Sequence, residues 1–307
     1  MTKILVATDK PFAKIAVEGI RKEIESAGYE LALLEKYTEK QQLLNAVADV
    51  DALIVRSDIV DNEVIGAAKN LKIVVRAGAG FDNIDLNAAT DAGVCVMNTP
   101  GQNSNAVAEL VFGLLVYAVR NFFNGTSGTE LKDKRLGIHA YGNVGRNVAR
   151  IARGFGMKIY AYDPFLQAED IEKEGVHAVN SVEKLYEICD IVSLHIPATT
   201  ETKNSINYPL LNQLPKGGIL VNTARKEVIN ETDMVRFLSE RADCKYVTDI
   251  MPANHAEMQE KFAVQYFATP KKMGAQTAEA NINAGIAAAQ QIVDFLKNGN
   301  QRFRVNK

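Results

Sequence analysis

The chain has 307 residues, of which 47% are hydrophobic and 23% charged, with a formal net charge of -2. This suits about two globular domains with sizeable cores and argues against a polyanion or membrane-surface partner. Met1 leads almost directly into the short apolar run Ile4–Thr8, and no run is long enough to span a bilayer, so no targeting segment and a cytoplasmic location are expected. Cys95, Cys189 and Cys244 are scattered and odd in number, so reduced core thiols are expected. No His/Cys/carboxylate cluster has metal-ligand spacing, and no metal is expected.

In chain order, short apolar runs alternate with amphipathic segments, the pattern of α/β folds with parallel sheets. A strand at Lys3–Thr8 is followed by a helix opened by Pro11 and closed near Gly28, with Val17, Ile20, Ile24 and Ala27 on its apolar face. Strands follow at Leu31–Leu34, Ala52–Val55, Ile73–Val75 and Val94–Met97, with helices near Gln42–Val50 and Asn62–Ala68. A long apolar-rich helix is expected over Ser104–Phe123, with enough hydrophobic surface for a dimer contact. The polar stretch Asn124–Lys134 reads as a loop marking the boundary between two α/β series. The second series has strands at Leu136–Ala140, Ile159–Tyr162, Ile191–His195, Ile219–Asn222, Tyr246–Thr248 and Phe267–Ala268. A final helix over Ala278–Leu296, closed by Asn298-Gly299, is long enough to return to the first domain, and the tail QRFRVNK could add to that domain.

The strongest local signal is LGIHAYGNVGRNVAR at Leu136–Arg150, a strand running through Tyr141, Gly142, Asn143, Val144 and Gly145 into a helix. It resembles the dinucleotide-binding G-x-G-x-x-G. Gly142 would admit the pyrophosphate, Gly145 would let the helix pack closely on the strand, and the helix N-terminus would face the phosphates. The first glycine position holds Ala140, which must tolerate or relax the tight turn. Asp163, before Pro164 at the end of the next strand, is placed to accept hydrogen bonds from the adenosine ribose, which favours NAD over NADP.

RAGAGFDNID (Arg76–Asp85), NTPGQN (Asn98–Asn103), VAEL (Val107–Leu110), SLHIPATTET (Ser193–Thr202) and LVNTARKEVIN (Leu220–Asn230) together resemble the D-2-hydroxyacid dehydrogenase family over nearly the whole chain. The resemblance implies two flavodoxin- or Rossmann-like doubly wound parallel-sheet domains with a cleft between them. Residues 1–103 with 279–307 would bind substrate, and 104–278 would bind NAD. It further implies a homodimer, a small-molecule substrate, and cofactor contacts from Val107, His195, Pro197, Thr202, Thr223, Ala224, Asp249 and Gly274. Neither nucleic acid nor membrane is an expected partner. The IVRS (Ile54–Ser57) and RAGAGFDNID forms look most like the branch that oxidises D-3-phosphoglycerate in serine biosynthesis, here without the C-terminal regulatory domains of longer members. A glyoxylate or hydroxypyruvate reductase is the alternative, and a non-catalytic dinucleotide sensor is a third reading.

Arg225 follows the strand ending Asn222-Thr223, where a guanidinium can hold the substrate carboxylate and polarise its C2 oxygen. The N–H groups of Gly78 and Ala79 are candidates for the same carboxylate. Arg56 and Arg76, each at the end of an apolar strand, are candidates for a phosphate, with Ser57 and Asn103 as further substrate contacts. The family's catalytic His and its supporting Glu are missing. The segment ATPKKMGAQT places Lys272 or Lys271 at the histidine position, with Lys272 favoured, and the counted glutamate position is Asn254, beside His255. The resemblance extends to a short form that uses lysine in this role. A lysine serves as acid/base where burial and nearby positive charge favour its neutral amine. His195 is expected to position or pack, and His139 to lie in the core.

Overall fold

The computed structural model describes residues 1–306. One parallel sheet comprises β1 (Lys3–Thr8), β2 (Glu30–Glu35), β3 (Ala52–Val55), β4 (Ile73–Arg76) and β5 (Cys95–Asn98), in the order β2-β1-β3-β4-β5. The other comprises β6 (Arg135–His139), β7 (Lys158–Tyr162), β8 (His177–Ala178), β9 (Ile191–Leu194), β10 (Ile219–Asn222), β11 (Lys245–Thr248) and β12 (Tyr266–Ala268), in the order β12-β11-β10-β9-β6-β7-β8. Strands β3, β9 and β10 are buried at every position, as parallel strands covered on both faces must be. Contacts divide the chain into two compact units: residues 1–103 with the chain from Gln276 onward, and residues 104–275.

In the first unit, helix Lys14–Ser26 packs on helix Ala278–Asn298 through glycine on both sides. A Cβ at Gly19 would lie 2.6 Å from Ile286 Cδ1, and one at Gly285 would lie 3.0 Å from Ile20 Cδ1. The helix interface therefore depends on two absent side chains. The tail does join this unit. Val305 N donates to Val96 O, and the buried Asn306 amide accepts from Val96 N and donates to Val94 O. Its last residue, Lys307, lies outside the described residues.

Several expectations need correction. The first helix begins at Lys14, three residues after Pro11, so Pro11 is not its opening residue. The long helix spans Ser104–Val119 and stops at three consecutive residues of positive φ, Asn121, Phe122 and Phe123. It belongs to the second unit, where Val111, Phe112, Leu115 and Ala118 are buried in the core, so its apolar surplus is largely used within the unit. The unit boundary thus precedes this helix rather than falling in Asn124–Lys134. Strand β8 and helix Leu86–Asp91 were not foreseen; the helix is capped by Asp85, whose carboxylate accepts from Ala88 N. All three cysteines are buried and free.

Candidate active site

The second sheet aligns its carboxyl ends. Strand register runs Ala268, Thr248, Asn222, Leu194, His139 and Tyr162 across β12, β11, β10, β9, β6 and β7. One residue further along each strand stand Thr269, Asp249, Thr223, His195, Ala140 and Asp163. Backbone bonds continue this row: Thr269 N to Thr248 O, Asp249 N to Asn222 O, His195 N to His139 O and Ala140 N to Tyr162 O. The strand order changes direction around β6, and the carboxyl-end crevice at such a reversal is where α/β sheets bind ligands.

The turn expected to hold a phosphate is built as its sequence requires. Ala140 takes φ 80°, the left-handed geometry normally left to glycine. Gly142 caps helix Asn143–Gly154 with no side-chain hydrogen bond, leaving the first-turn N–H groups of Asn143, Val144 and Gly145 available to an anion. A Cβ at Gly142 would meet nothing within 4 Å, whereas one at Gly145 would lie 2.5 Å from Ala140 O and 3.0 Å from Ile138 Cγ2. Tyr141 is buried, its N–H donates to Asp163 Oδ2, and its hydroxyl lies 3.0 Å from Glu174 Oε2. Its side chain therefore anchors the turn instead of facing a cofactor. Asp163 also accepts from Phe165 N and lines a pocket of about 320 Å³ with Tyr162, Pro164, Leu166 and Val179. The open helix end, this pocket and the buried, partnerless Thr223 hydroxyl fit a dinucleotide.

Further along the row, Thr202 closes the loop after β9 by donating to Pro197 O. His195 Nε2 lies 2.9 Å from Ser193 Oγ, and burial, aided by neighbouring His139, holds the His195 imidazole down to about 3. His139 is itself buried, with Nδ1 lacking a partner, and burial pulls it down to about 4. Both rings are therefore neutral at physiological pH. The Asn222 amide accepts from Ala224 N and donates to Arg225 O, shaping the turn that presents Arg225. Arg225 is exposed, donates only to Ala224 O, and forms no ion pair among the described residues.

Asp249 is fully buried. Its carboxylate accepts from Thr269 Oγ1 at 2.8 Å, Met273 N at 2.7 Å and Gly274 N at 2.7 Å. Gly274 is in turn packed beside Val107, whose Cγ2 would be 3.2 Å from an added Cβ. Lys271 and Lys272 lie on this loop and both are exposed, so the burial expected for a lysine base is not supplied by the chain itself. Nor does Asn254 replace the missing Glu: its Oδ1 is buried without a partner and its N–H is held by Glu231. His255 is half-buried, and its Nδ1 lies 2.8 Å from the Tyr266 hydroxyl.

The first unit gathers the other candidates at the ends of β3 and β4. Arg56 donates to Lys10 O and Asn281 Oδ1 and lies over the Phe12 ring. Arg76 donates to Arg56 O. Neither guanidinium forms an ion pair among the described residues. Burial lowers the pKa of both, and for Arg76 the neighbouring Arg56 charge lowers it further. A Cβ at Gly78 would overlap the Arg76 guanidinium. Gly78 N–H already donates to Arg76 O, leaving Ala79 N–H as the open donor of the expected pair. Ser57 lines a separate pocket of about 530 Å³ with Asp9, Asp58, Asp61 and Lys40, whose amine is paired with Asp61, so the lining is acidic overall and unsuited to a phosphate. Asn103 ends this unit half-buried, with no side-chain hydrogen bond. The residues that sequence reasoning missed are Thr269, Asn222 and Ser193. Each polar side chain stands at the last position of a strand or beside it, a signal visible once the strands are aligned.

A family model for the D-isomer specific 2-hydroxyacid dehydrogenase NAD binding domain matches residues 118–270. The hydroxypyruvate reductase of Thermotoga maritima is 35% identical over 280 residues, 86% of this chain and 90% of that protein. The D-3-phosphoglycerate dehydrogenase of Methanocaldococcus jannaschii is 34% identical over 84% of this chain but only 52% of that protein. The chain spans about half the length of this and similar phosphoglycerate dehydrogenases. The NAD+-bound 3-phosphoglycerate dehydrogenase of Entamoeba histolytica is 49% identical, with a TM-score of 0.86 over 100% of this chain and 99% of that one.

Proposed function

The chain belongs to the D-isomer specific 2-hydroxyacid dehydrogenases, NAD-dependent oxidoreductases, and from that premise we propose that it oxidises D-3-phosphoglycerate to 3-phosphohydroxypyruvate. The observation carrying the substrate choice is the pair Arg56 and Arg76, two partly buried guanidiniums that form no ion pair among the described residues, with Asp58, Asp9 and Asp82 acting on them only from nearby. Such a pair suits a phosphate dianion, which removes their mutual repulsion and offers charge-assisted hydrogen bonds. Arg225 holds the substrate carboxylate and the C2 oxygen, with Ala79 N–H as a further carboxylate donor. Lys272, as the neutral amine, takes the C2 hydroxyl proton, and as ammonium returns it in the reverse direction. The nicotinamide, when bound, supplies the hydride acceptor. Thr223, His195 and the turn at Gly142 line the cofactor side. A homodimer and a place in serine biosynthesis in the cytoplasm are part of this reading.

The second reading, reduction of hydroxypyruvate, is favoured by the Thermotoga relative, which this chain covers almost fully. Following NADH absorbance with phosphohydroxypyruvate and with hydroxypyruvate decides between them. The phosphorylated substrate should be turned over with the higher kcat/KM. Lys272→Ala should lower kcat by about 100-fold or more and Lys271→Ala by no more than about threefold. Reversal of the two lysines moves the base by one residue. Near-normal turnover in both variants overturns the lysine chemistry.

A further inference from the structure

We propose that Asn281 is a positioning residue for substrate selectivity, holding the Arg56 guanidinium so that its open edge meets the phosphate of the substrate. The inference deepens the phosphate reading above and rests on it. Arg56 Nη1 donates to Lys10 O at 2.8 Å and Pro11 O at 3.4 Å, Nη2 donates to Asn281 Oδ1 at 2.6 Å, and the group lies 5.1 Å over the Phe12 ring. The Nε–H and the second Nη2–H have no partner among the described residues, and these two adjacent donors form an edge that can grip two oxygens at once. Arg135 shows the same edge filled, its Nε and Nη2 both donating to the Asp190 carboxylate. Each acceptor bonded to the Arg56 guanidinium is instead neutral. The nearby Asp58 carboxylate is already taken by the Tyr37 hydroxyl, Asp9 N and Arg56 N. Arg56 is thus held without its charge being cancelled, which leaves that charge for an incoming dianion. Asn281 supplies the one side-chain acceptor in the set, and its own orientation is fixed. Its Nδ2 donates to Thr277 O at 2.8 Å, one turn back, so Oδ1 is the atom left to face Arg56. Thr277 is the N-cap of helix Ala278–Asn298, its hydroxyl accepting from Ala280 N. One turn beyond Asn281, Gly285 lets this helix lie against Phe12, whose Cε1 would be 3.0 Å from an added Cβ. The helix therefore carries the acceptor for Arg56 and also seats the ring beneath it.

Asn281→Asp keeps an acceptor of the same size but makes it an anion, which occupies the guanidinium and repels a phosphate. The KM for phosphohydroxypyruvate should rise about 100-fold or more, and that for hydroxypyruvate no more than about threefold. Asn281→Ala, which removes the acceptor without adding charge, should raise the KM for the phosphorylated substrate about tenfold. KM does not depend on how much enzyme is folded, so a loss of folded protein cannot imitate either result. In an Arg56→Ala background, Asn281→Ala should raise that KM by no more than about a further twofold, since residues that act through one another are non-additive. A KM unchanged for phosphohydroxypyruvate, a rise of equal size for the two substrates, or a full effect of Asn281→Ala without Arg56 overturns the proposal. If Arg56→Ala itself raises both KM values alike, the phosphate reading fails and this inference with it. If Arg56→Ala is selective and the Asn281 variants are not, only the role of Asn281 fails.

Discussion

At the ends of β10 and β11, Asn222 bonds to its own loop and Asp249 to the loop after β12, whereas at the ends of β3 and β4 the Arg56 and Arg76 guanidiniums form no ion pair among the described residues, with Asp58, Asp9 and Asp82 only nearby. The dinucleotide unit thus spends its polar groups on holding loops in one geometry. The other unit keeps two like charges close together, an arrangement that costs stability until an anion arrives. The first strategy gives precision to a chemical step, and the second gives selectivity for a charged substrate. The sharpest way to break this contrast is Arg56→Ala with Arg76→Ala. The double variant should lose about 1000-fold in kcat/KM for phosphohydroxypyruvate, roughly 4 kcal/mol, but no more than about fivefold for hydroxypyruvate. Comparing two substrates on one variant cancels any loss of folded protein. Equal losses would remove the phosphate from these arginines.

Beneath the dinucleotide unit's rim, His139 is buried with an unpartnered Nδ1 and an imidazole held down to about 4. Its stability effect has a definite sign. The unfolded chain, with an ordinary histidine near pH 6.5, binds the proton first as pH falls, so stability drops from about pH 6.5 to about pH 4. His139→Leu removes that dependence. Its stability relative to wild type should therefore rise by about 3 kcal/mol between pH 7 and pH 4, read from urea midpoints. Parallel curves would mean that His139 takes up a proton in the folded state near its normal pKa.

Two glycines of one turn separate packing from ligand contact. Gly145→Ala places its Cβ against Ala140 O and Ile138 and should cost about 2 kcal/mol of folding stability as the helix is pushed off β6. Gly142→Ala meets no protein atom and keeps an ordinary φ of -82°, so it should change stability by less than about 1 kcal/mol. Its NADH affinity should nonetheless fall about tenfold or more, because the methyl occupies the side from which the pyrophosphate approaches. Equal effects of the two on thermal unfolding would dissolve the distinction.

What could be read from the sequence follows physical range. Continuous apolar runs such as Ile219–Asn222 announce buried parallel strands, and Arg56 and Arg76 stand at strand ends by counting alone. Two-residue β8 carries too little pattern to register, and the polar helix Leu86–Asp91 is set by its Asp85 cap more than by apolar periodicity. The Asp249 clamp joins residues twenty or more positions apart through the register of β11 on β12, which no local spacing encodes. Lysine exposure was equally hidden, since the motif assigns Lys271 or Lys272 to a role without revealing that both side chains are exposed.

The smallest effect tests the turn itself. Ala140 stands where glycine is usual, and its φ of 80° puts Cβ against its own carbonyl region at a cost of about 1–2 kcal/mol. Ala140→Gly relieves that strain but frees the unfolded chain and removes one partly buried methyl, so the net gain should be about 0.5–1 kcal/mol. For a unit of this size that is a rise in Tm of about 2–3 °C. NADH affinity should hardly change, because Tyr141 N–H to Asp163 and the tight Gly145 contact fix the turn independently of residue 140. A lower Tm would show that the methyl contributes more by packing on Tyr162 and its neighbours than the left-handed backbone costs. In that case Ala140 serves as a packing residue that the dinucleotide turn has been shaped to accept.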